Sequence, residues 1–570
     1  MMRGGGTVPV RFRSIGQFLA DRAKAWAAQP VLLTKNADRY EPLSWQDFYS
    51  AIQKAANGLC AKGFGAGNKL AFFTPNSLEM LVLEMAAMSI GMISIPLFSG
   101  YKEQMFNDLI AFCEADALVV PGQTQQAMLG VHPSLKCLIT LTPTDLSART
   151  TTLSYQDLLN LGADQETPIP IQVNRDDIAL IMFTSGTMSF PKGVQLTHGN
   201  ILSQQEALDF LWQTQPGGRL LSYLPWHHSF GGIFEKFFGL YSGTALALDD
   251  SRGKDIPRLV ANWKAIKPMA FFSVPKIFQE LVSYPEPGWR SEFFHRDLRF
   301  VFTAGAPLPG TVSDVFIQNN IPVLEGWGLT ETSPCCTLTD GKTKRVPNVV
   351  GFPIPGVEIR LDSDGEILVN GPNVMPGYYQ SPERNARIFT EDGFFRTGDL
   401  GEITPEGLKI LTRKDRLFKL ANAEKVNPTV IENQVLGHCP FVKHLLVLGS
   451  GQKNVSALVF PNKEMMASPR CSEPEGCKNP QDSGTLSACL RDCIDDLNAR
   501  LRKQYESIAC FVILDQELEL DKGELTPSLK VNPQTVMKNY ATYIEPLFDP
   551  SLEKPAGAIY VQVGDQGVLV

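Results

Sequence analysis

Between Ser44 and Val120 the chain alternates helical and strand patterns, and this alternation constrains the fold more than any other feature of the sequence. The spacing of apolar residues predicts helices over Ser44–Gly63 and Ser77–Ile90, with Ser44 as the cap of the first. Short apolar runs near breaking residues predict strands at Lys69–Phe73, Ile93–Leu97, Ala117–Val120, Ala179–Phe183, Phe271–Val274 and Phe300–Thr303. Such alternation is typical of a parallel sheet covered by helices.

The pattern changes after Asn348. Short strand-like runs at Glu358–Leu361, Glu366–Val369 and Leu408–Leu411 are separated by Asp-Gly, Gly-Pro and Glu-Gly turns. Because 570 residues exceed what one hydrophobic core supports, we predict at least two domains. The predicted fold class is α/β, with αβ-layered subdomains and a β-rich subdomain (about 345–413) in a large N-terminal domain, 1–413. A smaller α/β domain is expected over 414–570, with an inserted loop at about 463–487.

Charge and composition exclude several classes of protein. A formal net charge of -8 gives no electrostatic case for nucleic-acid binding. The 11 cysteines lack the spacing of a zinc finger or ribbon, and with no secretory signal at the start of the chain they favour a reducing, cytoplasmic location. The apolar stretch Met80–Phe98 contains Glu84, Gly91 and Pro96, which favours a buried helix and strand over a membrane span.

The segment Thr184–Gly193, TSGTMSFPKG, is the most informative for chemistry. It leaves a predicted buried strand as a loop that supplies hydroxyls, flexible glycines and Lys192. Hydroxyls, backbone N–H groups and an ammonium group are what a polyphosphate needs. It is not a Walker loop, because Pro191 precedes the lysine and Gly193 follows it. The alternative interpretation is an ordinary Ser/Gly surface loop.

Three further segments are weaker when taken singly. In Glu325–Glu331, EGWGLTE, two glycines let the backbone approach a planar ligand, Trp327 can cover a purine, and Glu331 suits Mg²⁺. Alternatively this is a Gly-rich turn with a core tryptophan. Asp399 in RTGDL can accept two ribose hydroxyls, although Asp after Gly is more often a simple turn. Lys530 in LTPSLK, read alone, is most often a solvated surface charge.

Together the segments resemble the acyl-adenylating superfamily of acyl-CoA synthetases, peptide-synthetase adenylation domains and firefly-type luciferases. Besides the segments above, LPWHHSFG, TAGAPL and TRKDRLFKL occur in the family's order, and the resemblance covers roughly residues 18 to 548. LTPSLKVNPQTVMKNY and FKLANAEKVNPTVIEN are worded most like long-chain fatty acyl-CoA synthetases. The resemblance implies that a fatty acid is activated as an acyl-adenylate by ATP and then transferred to coenzyme A.

Residue roles follow from the same resemblance, motif by motif. Lys530 would lie between the carboxylate and the α-phosphate, with Thr330 touching that phosphate, Glu331 binding Mg²⁺ and His228 beside the acyl pocket. The remaining nucleotide-binding residues are expected to be Thr184, Ser185, Gly186, Thr187 and Lys192 for phosphates, Gly305, Ala306 and Trp327 for adenine, and Asp399 and Arg413 for ribose. Asp415 would be the hinge about which a mobile C-terminal domain turns between the two half-reactions.

The acyl pocket and the acceptor are less constrained. The segment Ser229–Gly243 suits an apolar cavity, although its phenylalanines also fit a helix core. Where the family usually has glycine, this chain has Ala423 and Thr412, and the added methyl group of Ala423 would crowd the pantetheine tunnel. An acyl-AMP ligase serving a carrier protein is therefore an alternative, and a non-catalytic adenylate-binding protein is another. A kinase would need motifs that are absent.

The sequence does not decide whether the chain contacts a membrane or other copies of itself. The stretch Val10–Ala28 carries basic residues among apolar ones, so peripheral contact with an anionic membrane is an alternative to an ordinary surface helix. The oligomeric state does not follow from the sequence.

Overall fold

A computed structural model describes residues 1–6, 8–37, 39–143, 151–163, 172–184, 190–306, 308–341, 345–467, 480–501, 503–520, 522–526 and 530–564. The described chain divides into two compact units. The first comprises Met1–Thr184, Pro191–Thr397 and Gly401–Ile410, and the second consists chiefly of Leu411–Val570 with Gly398–Leu400.

The strands, in chain order, are β1 (Met2–Arg3), β2 (Pro30–Asn36), β3 (Arg39–Ser44), β4 (Lys69–Phe72), β5 (Ile93–Pro96), β6 (Ala117–Val120), β7 (Cys137–Thr140), β8 (Thr151–Ser154), β9 (Ile178–Thr184), β10 (Lys192–Thr197), β11 (Arg219–Ser222), β12 (Ala245–Leu248), β13 (Ala270–Ser273), β14 (Phe300–Thr303), β15 (Val323–Trp327), β16 (Thr337–Leu338), β17 (Phe352–Pro353), β18 (Glu358–Leu361), β19 (Glu366–Asn370), β20 (Gly377–Tyr378), β21 (Phe395–Thr404), β22 (Gly407–Arg413), β23 (Phe418–Lys419), β24 (Lys425–Val426), β25 (Val442–Leu448), β26 (Val455–Pro461), β27 (Ile508–Leu514) and β28 (Ala558–Gln562).

The α-helices are α1 (Ile15–Ala25), α2 (Trp45–Ala61), α3 (Leu78–Ser89), α4 (Glu103–Cys113), α5 (Gln123–Ala127), α6 (Tyr155–Ala163), α7 (His198–Trp212), α8 (Lys236–Ser242), α9 (Ile256–Ile266), α10 (Pro275–Val282), α11 (Trp289–Phe293), α12 (Gly310–Gln318), α13 (Pro382–Ile388), α14 (Pro428–His438), α15 (Lys463–Ala467), α16 (Ser483–Arg500), α17 (Pro533–Asn539) and α18 (Ala541–Phe548). A π-helix spans Phe230–Glu235, and 3₁₀ turns span Thr330–Thr332, Lys414–Arg416 and Gln504–Glu506.

Two large sheets lie in the first unit, where the sequence predicted parallel strands covered by helices. One has eight strands in the order β20-β10-β9-β5-β4-β6-β7-β8, and the other has nine in the order β17-β16-β15-β14-β13-β11-β12-β2-β3. The central strands of both sheets are parallel, as expected for α/β alternation. In the eight-stranded sheet β10 runs antiparallel to both β9 and β20. In the nine-stranded sheet the strand pairs at both edges are antiparallel. The α/β fold class is confirmed.

The starts of helices α2 and α3 agree with the sequence prediction because the serine before each helix caps it. Ser44 Oγ accepts a hydrogen bond from Asp47 N at the start of α2, and Ser77 Oγ does the same for Met80 N at the start of α3. Helix α3 is buried on nearly every side and leads to strand β5, which explains the long apolar stretch of the sequence. No helix among the described residues is long and apolar enough to cross a membrane.

The predicted β-rich region forms a five-stranded sheet in the order β1-β18-β19-β21-β22. The strand β1 at the start of the chain was not predicted, and it pairs antiparallel with β18. Arg3 Nε lies 2.9 Å from Glu358 Oε1, and Gly4 N donates to Val357 O. The N-terminal residues are thereby held along one edge of this sheet.

In the second unit a four-stranded sheet, β25-β26-β27-β28, is covered on both faces. Alternate strand residues such as Val447 and Val459 pack with α14 and α16, whereas Leu446 and Leu458 pack with α17 and α18. The loop predicted over 463–487 is helical at both ends, in α15 and from Ser483 in α16, because Asp482 caps the second helix. Residues 468–479 lie outside the described part of the chain.

Helix α1 accounts for the basic N-terminal stretch. The guanidinium carbon of Arg22 lies 4.6 to 5.3 Å from the ring centres of Phe12, Trp26 and Tyr241. Burial is the largest influence on its pKa, which it lowers. The side chain of Arg22 is thus partly buried against aromatic rings.

Candidate active site

The predicted phosphate loop connects two strands at one side of the eight-stranded sheet. Thr184 ends β9 and lies directly opposite Lys192, which begins β10. Ser185, Gly186 and Thr187 lie outside the described residues. Lys192 Nζ lies 5.5 Å from the centre of the Tyr378 ring. The strand pairing thus brings the predicted phosphate lysine to a tyrosine that the sequence analysis did not assign.

Glu331, the predicted Mg²⁺ ligand, is held by the same tyrosine. Tyr378 OH donates to Glu331 Oε1 at 2.6 Å, and Met375 N donates to the backbone oxygen of Glu331 at 2.9 Å. The glutamate lies in the 3₁₀ turn Thr330–Thr332 and is 8% exposed. A carboxylate held by one oxygen, with residual access to solvent, fits Mg²⁺, which prefers oxygen ligands and arrives with substrate phosphates.

Thr330 connects this cluster to the histidine segment. Its Oγ1 donates to Ser229 Oγ at 3.0 Å, and Ser229 directly follows His228. Within the first unit, contacts or chain neighbours therefore join Thr184, Lys192, Tyr378, Glu331, Thr330, Ser229 and His228. Residues far apart in the sequence form one continuous group.

The turn that carries His228 is fixed by Asn76. Its Nδ2 donates to Leu224 O at 2.8 Å, and its Oδ1 accepts from Trp226 N at 2.9 Å. His228 is exposed, and its Nδ1 accepts from Phe230 N at 3.3 Å, so the neutral ring carries its proton on Nε2. The neighbouring His227 packs against Phe98, and burial lowers its pKa to about 3. Of the two histidines, His228 is the one open to solvent.

The predicted adenine-binding residues follow two adjacent parallel strands. Thr303 of β14 pairs with Glu325 of β15, so Gly305 and Ala306 leave the sheet near the strand that ends at Trp327. Gly305 has a left-handed backbone with φ of 85°, and Ala306 is exposed. Crevices outside the carboxyl ends of parallel strands are where α/β proteins bind ligands.

The two glycines around Trp327 have a different physical cause from the one expected. A Cβ on Gly328 would lie 1.8 Å from Pro334 O, and one on Gly326 would lie 2.6 Å from Cζ of Phe302. Close packing inside the protein therefore leaves no room for a side chain at either position. Close packing thus gives a reason for these glycines within the protein, and the approach of their backbone to a planar ligand stays a prediction.

The segment predicted to line the acyl pocket is a π-helix followed by α8. Its glycines also face the protein: a Cβ on Gly232 would lie 2.0 Å from Trp226 O. Phe234 is 1% exposed, and its ring centre lies 4.5 Å from that of Phe302. These phenylalanines form a packed aromatic core, which is the alternative that the sequence left open. π-Helical turns are frequent at functional sites.

A buried ion pair joins this segment to helix α3. The Lys236 ammonium contacts the Glu84 carboxylate, and the two side chains are 1% and 0% exposed. Burial lowers the pKa of Lys236, and Glu84 acts against that shift. Next to it, burial raises the pKa of Glu235 well above its usual value, and Glu235 Oε2 accepts a 2.6 Å hydrogen bond from Ser222 Oγ, which acts against that shift. Glu84 therefore compensates the charge of a lysine that belongs to the predicted acyl-pocket segment.

The predicted ribose residues lie in the second unit. Arg413 Nη1 is 3.1 Å from Asp399 Oδ1, and Arg413 Nε is 3.7 Å from Asp415, the predicted hinge. Gly398, before Asp399, has φ of 73°, and a Cβ there would lie 3.3 Å from Arg413 Nη2. Glycine therefore suits this position on both counts.

Lys530 belongs to the same unit as Asp399 and Arg413. Part of the residue is exposed to solvent, yet desolvation of the ammonium group lowers the pKa of Lys530; Asp399 raises it and Arg413 lowers it. An anion placed near this group would favour its charged form. Its neighbours Pro527, Ser528 and Leu529 lie outside the described residues.

The predicted pantetheine segment is an exposed turn between β23 and β24. Leu420 N donates to Glu424 O, and Ala423 N donates to Leu420 O, which closes the turn. Ala423 has a left-handed backbone with φ of 67°, a conformation that favours glycine. The departure from glycine noted in the sequence therefore falls where glycine has a conformational advantage.

Sequence reasoning did not assign Tyr378, and it placed Ser229 only at the start of the predicted acyl-pocket segment, without its contact to Thr330. Tyr378 lies 47 residues beyond Glu331, and Ser229 precedes Thr330 by 101 residues, so no local pattern joins them. The only signal was the Pro-Gly pair before Tyr378, which predicts a turn at the end of a strand.

Comparison with known proteins gives the same two-part organisation. A family model described as AMP-binding enzyme matches residues 19–379, and one described as AMP-binding enzyme C-terminal domain matches residues 415–551. Long chain acyl-CoA synthetase 7, peroxisomal, from Arabidopsis thaliana is 27% identical, covering 89% of this chain and 82% of its own. Long-chain-fatty-acid--CoA ligase FadD15 from Mycobacterium bovis is 25% identical, covering 87% and 91%.

Among solved structures, ATP-bound MatB from Rhodopseudomonas palustris has a TM-score of 0.74 at 23% identity. The match covers 93% of this chain and 99% of MatB. At this identity the likeness concerns the fold alone.

Proposed function

This chain belongs to the AMP-binding enzyme family, and from that premise we propose that it activates a long-chain fatty acid with ATP and transfers the acyl group to coenzyme A. The relatives named as long-chain ligases support the choice of substrate, since the alignments cover most of both chains. The observation that carries the proposal is the continuous group from Lys192 through Tyr378 and Glu331 to Thr330 and His228.

In the first half-reaction a carboxylate oxygen of the fatty acid attacks the α-phosphorus of ATP. The bond from that phosphorus to the bridging β-oxygen breaks, and pyrophosphate leaves with the electron pair. Both reactants are anions, so compensation of negative charge is the main catalytic demand. In this proposal Lys192 binds the β- and γ-phosphates, Thr330 binds the α-phosphate, and Lys530 lies between that phosphate and the carboxylate.

Glu331 would hold Mg²⁺ together with the nucleotide phosphates. The bound ion would neutralise phosphate charge, a task for which the carboxylate and phosphate oxygens are suitable ligands. The remaining nucleotide contacts in this proposal are Gly305, Ala306 and Trp327 for adenine, and Asp399 and Arg413 for the ribose hydroxyls.

In the second half-reaction the thiolate of coenzyme A attacks the acyl carbon, and AMP leaves as the carbon–oxygen bond breaks. No covalent intermediate with the protein is needed. We propose that Leu420–Lys425 meets the pantetheine arm after a rotation about Asp415, and that His228 borders the acyl pocket. The supporting observation is exposure: Leu420 is buried, but the residues that follow it, Ala421–Lys425, are all exposed.

The test measures the two products separately. The purified protein is incubated with ATP, Mg²⁺ and fatty acids from short to very long, while pyrophosphate release and acyl-CoA formation are followed. We expect both products with long-chain acids, and neither with the variant Glu331→Gln, which keeps the side-chain shape but removes the charge. Pyrophosphate release that is greatest with short or aromatic acids would contradict the long-chain proposal.

One observation favours a second candidate, an acyl-adenylate ligase that uses a carrier protein. Ala423 places a methyl group on a turn where the family usually has glycine, and its backbone is left-handed. In this proposal a carrier protein brings its own contacts with the enzyme, so it depends less than coenzyme A on the fit of the pantetheine arm in a crowded tunnel. Pyrophosphate release without acyl-CoA, but with acyl transfer to a phosphopantetheinylated carrier protein, would establish this candidate.

A further inference from the structure

We propose that Tyr378 is a positioning residue for the metal-binding carboxylate of Glu331, and that its ring separates this carboxylate from the phosphate-binding Lys192. The inference rests on the function proposed above, because it takes Glu331 and Lys192 in the roles given there. It adds a residue that performs no chemistry itself but determines where two opposite charges stand.

The hydroxyl of Tyr378 fixes one oxygen of the carboxylate. Its 2.6 Å hydrogen bond to Glu331 Oε1 joins two buried side chains, 5% and 8% exposed. Hydrogen bonds to ionised groups are short and strong, and a ligand held by such a partner binds its metal more tightly. With Oε1 held by the tyrosine, Oε2 is left as the oxygen best placed for an ion.

The ring of Tyr378 meets positive charge. Lys192 Nζ lies 5.5 Å from the ring centre, and the guanidinium carbon of Arg384 lies 5.7 Å from it. Cations are attracted to the faces of aromatic rings. A lysine attracted to the ring is less free to pair with Glu331. An ion pair between Lys192 and Glu331 would occupy the ammonium group that the phosphates need and the carboxylate that the metal needs.

The tyrosine is itself fixed in place. Tyr378 N donates to Asn385 Oδ1 at 2.8 Å, and Asn385 Nδ2 donates to Tyr378 O at 2.9 Å. Strand β20 also pairs Tyr378 with Val194 of β10, two residues from Lys192. The backbone that carries the ring is thus tied to the strand that carries the lysine.

The test separates metal binding from nucleotide binding. Calorimetry would give the affinity of the whole protein for α,β-methylene-ATP, which cannot be cleaved at that bond, with Mg²⁺ and with EDTA. The ratio of the two affinities is the gain due to the metal. Tyr378→Phe keeps the ring but loses the hydroxyl, so we expect this gain to fall about tenfold or more while the affinity in EDTA stays unchanged.

Tyr379→Phe is the matched control. Tyr379 OH also makes side-chain hydrogen bonds, with Lys69 Nζ at 3.0 Å and Glu114 at 3.2 Å, yet it does not contact Glu331. We expect the metal-dependent gain to be retained in this variant. In the background of Glu331→Gln, adding Tyr378→Phe should change the gain no further, because both substitutions act on the same ligand.

The outcomes also distinguish this inference from the proposed function. A Tyr378→Phe variant with an undiminished gain, or one that loses affinity equally with and without Mg²⁺, would overturn the positioning role. So would a wild-type protein whose nucleotide affinity is the same in Mg²⁺ and EDTA. A wild-type protein with a metal-dependent gain but no pyrophosphate release with any acid would overturn the proposed function alone.

Discussion

In the first unit two predicted active-site side chains, those of Glu331 and Thr330, are held by hydrogen bonds, whereas in the second unit the segment expected to meet the acyl acceptor is largely an exposed turn. Glu331 is held by Tyr378, and Thr330 by Ser229. By contrast, Leu420–Lys425 is closed by backbone hydrogen bonds and contains one residue, Ala423, in a backbone conformation that suits glycine better.

This contrast indicates where the chain tolerates substitution. A side chain fixed by buried neighbours loses its function when the neighbour is altered, so effects spread beyond the residues that touch substrate. An exposed turn depends mainly on its own backbone preferences. The effects of substitutions at these two places should therefore differ in kind as well as in size.

The largest effect is expected from the buried ion pair of the first unit. Lys236→Met leaves the Glu84 carboxylate without its partner in a site from which water is excluded. Breaking a buried pair on one side costs about 3–5 kcal/mol. We expect the free energy of unfolding of the first unit to fall by that amount in urea. Tryptophan fluorescence reports on this unit because all seven tryptophans lie between residues 26 and 327.

Lys136→Met is the control for removing a lysine that is 63% exposed and lies 2.8 Å from Asp116. Its expected cost is below about 1 kcal/mol, since water screens such pairs. The double variant Lys236→Met with Glu84→Leu should recover much of the loss, because neither charge then remains buried. If Lys236→Met costs no more than Lys136→Met, the buried pair does not stabilise the first unit.

The second prediction concerns Lys530, the charge of the second unit that is proposed to lie between the carboxylate and the α-phosphate. Lys530→Ala should lower the rate of pyrophosphate release by about 10²–10³, the loss typical of one electrostatic contact to a transition state. Thioester formation from a supplied acyl-adenylate and coenzyme A should be much less affected, because no charge between the carboxylate and the phosphate is then needed. Single-turnover assays of each half-reaction measure both.

Lys538→Ala provides the control for the second prediction. Lys538 is exposed, in helix α17 of the same unit, and has no proposed role. Both half-reactions should proceed at the wild-type rate in this variant. Equal losses of the two half-reactions in Lys530→Ala would contradict the assignment of Lys530 to adenylation.

A third prediction uses the pH dependence of the first unit. His198 at the start of α7 is 0% exposed and accepts from Ile15 N at 3.2 Å, and burial lowers its pKa to about 4. In the unfolded chain its pKa is about 6.5, so between these values the unfolded state binds the extra proton. Stability should therefore be unaffected by this group above about pH 6.5 and fall by up to roughly 3 kcal/mol as the pH drops to 4.

The asparagine in His198→Asn does not titrate, so the variant should lose less stability than the wild type between pH 6.5 and 4. Urea titrations followed by tryptophan fluorescence at several pH values compare the two slopes. Parallel slopes would show that protonation of other groups governs the acid sensitivity of the first unit.

Local signals gave those helices and strands of the first unit that the sequence analysis predicted, but not their partners. Strands Ala117–Val120 and Phe300–Thr303 match the prediction at both ends because short apolar runs between breakers have few alternatives. The sequence did not reveal that these two strands belong to different sheets, since strand order depends on contacts across long separations. For the same reason it gave no sign that Lys236 pairs with Glu84, 152 residues away.

In the candidate site, too, the sequence indicated residues in local motifs but not their distant partners. Motifs indicated Lys192 and Glu331 because each stands in a distinctive local segment. They did not indicate Tyr378, whose contribution comes from contacts with both. The roles of the motif residues, the hinge at Asp415 and the domain boundary at 413 stay predictions, because these depend on ligands and movements rather than on local pattern.

The smallest effect is expected at the exposed turn of the second unit. Ala423→Gly relieves a left-handed backbone that costs alanine about 1–2 kcal/mol, and the flexibility of glycine in the unfolded chain offsets about 0.5–1 kcal/mol of this gain. The second unit should therefore be stabilised by up to about 1 kcal/mol. Hydrogen exchange of the amides in β23 and β24 reports on that turn directly.

Ala421→Gly is the matched control, since Ala421 is exposed in the same turn and does not have a positive φ. It should be neutral or slightly destabilising, because here glycine brings only its entropy cost. If the methyl group of Ala423 narrows the path of pantetheine, Ala423→Gly should also raise the rate of thioester formation from a supplied acyl-adenylate, whereas Ala421→Gly should not. Equal rates in both variants would mean that Ala423 affects the backbone of the turn but not the choice of acceptor.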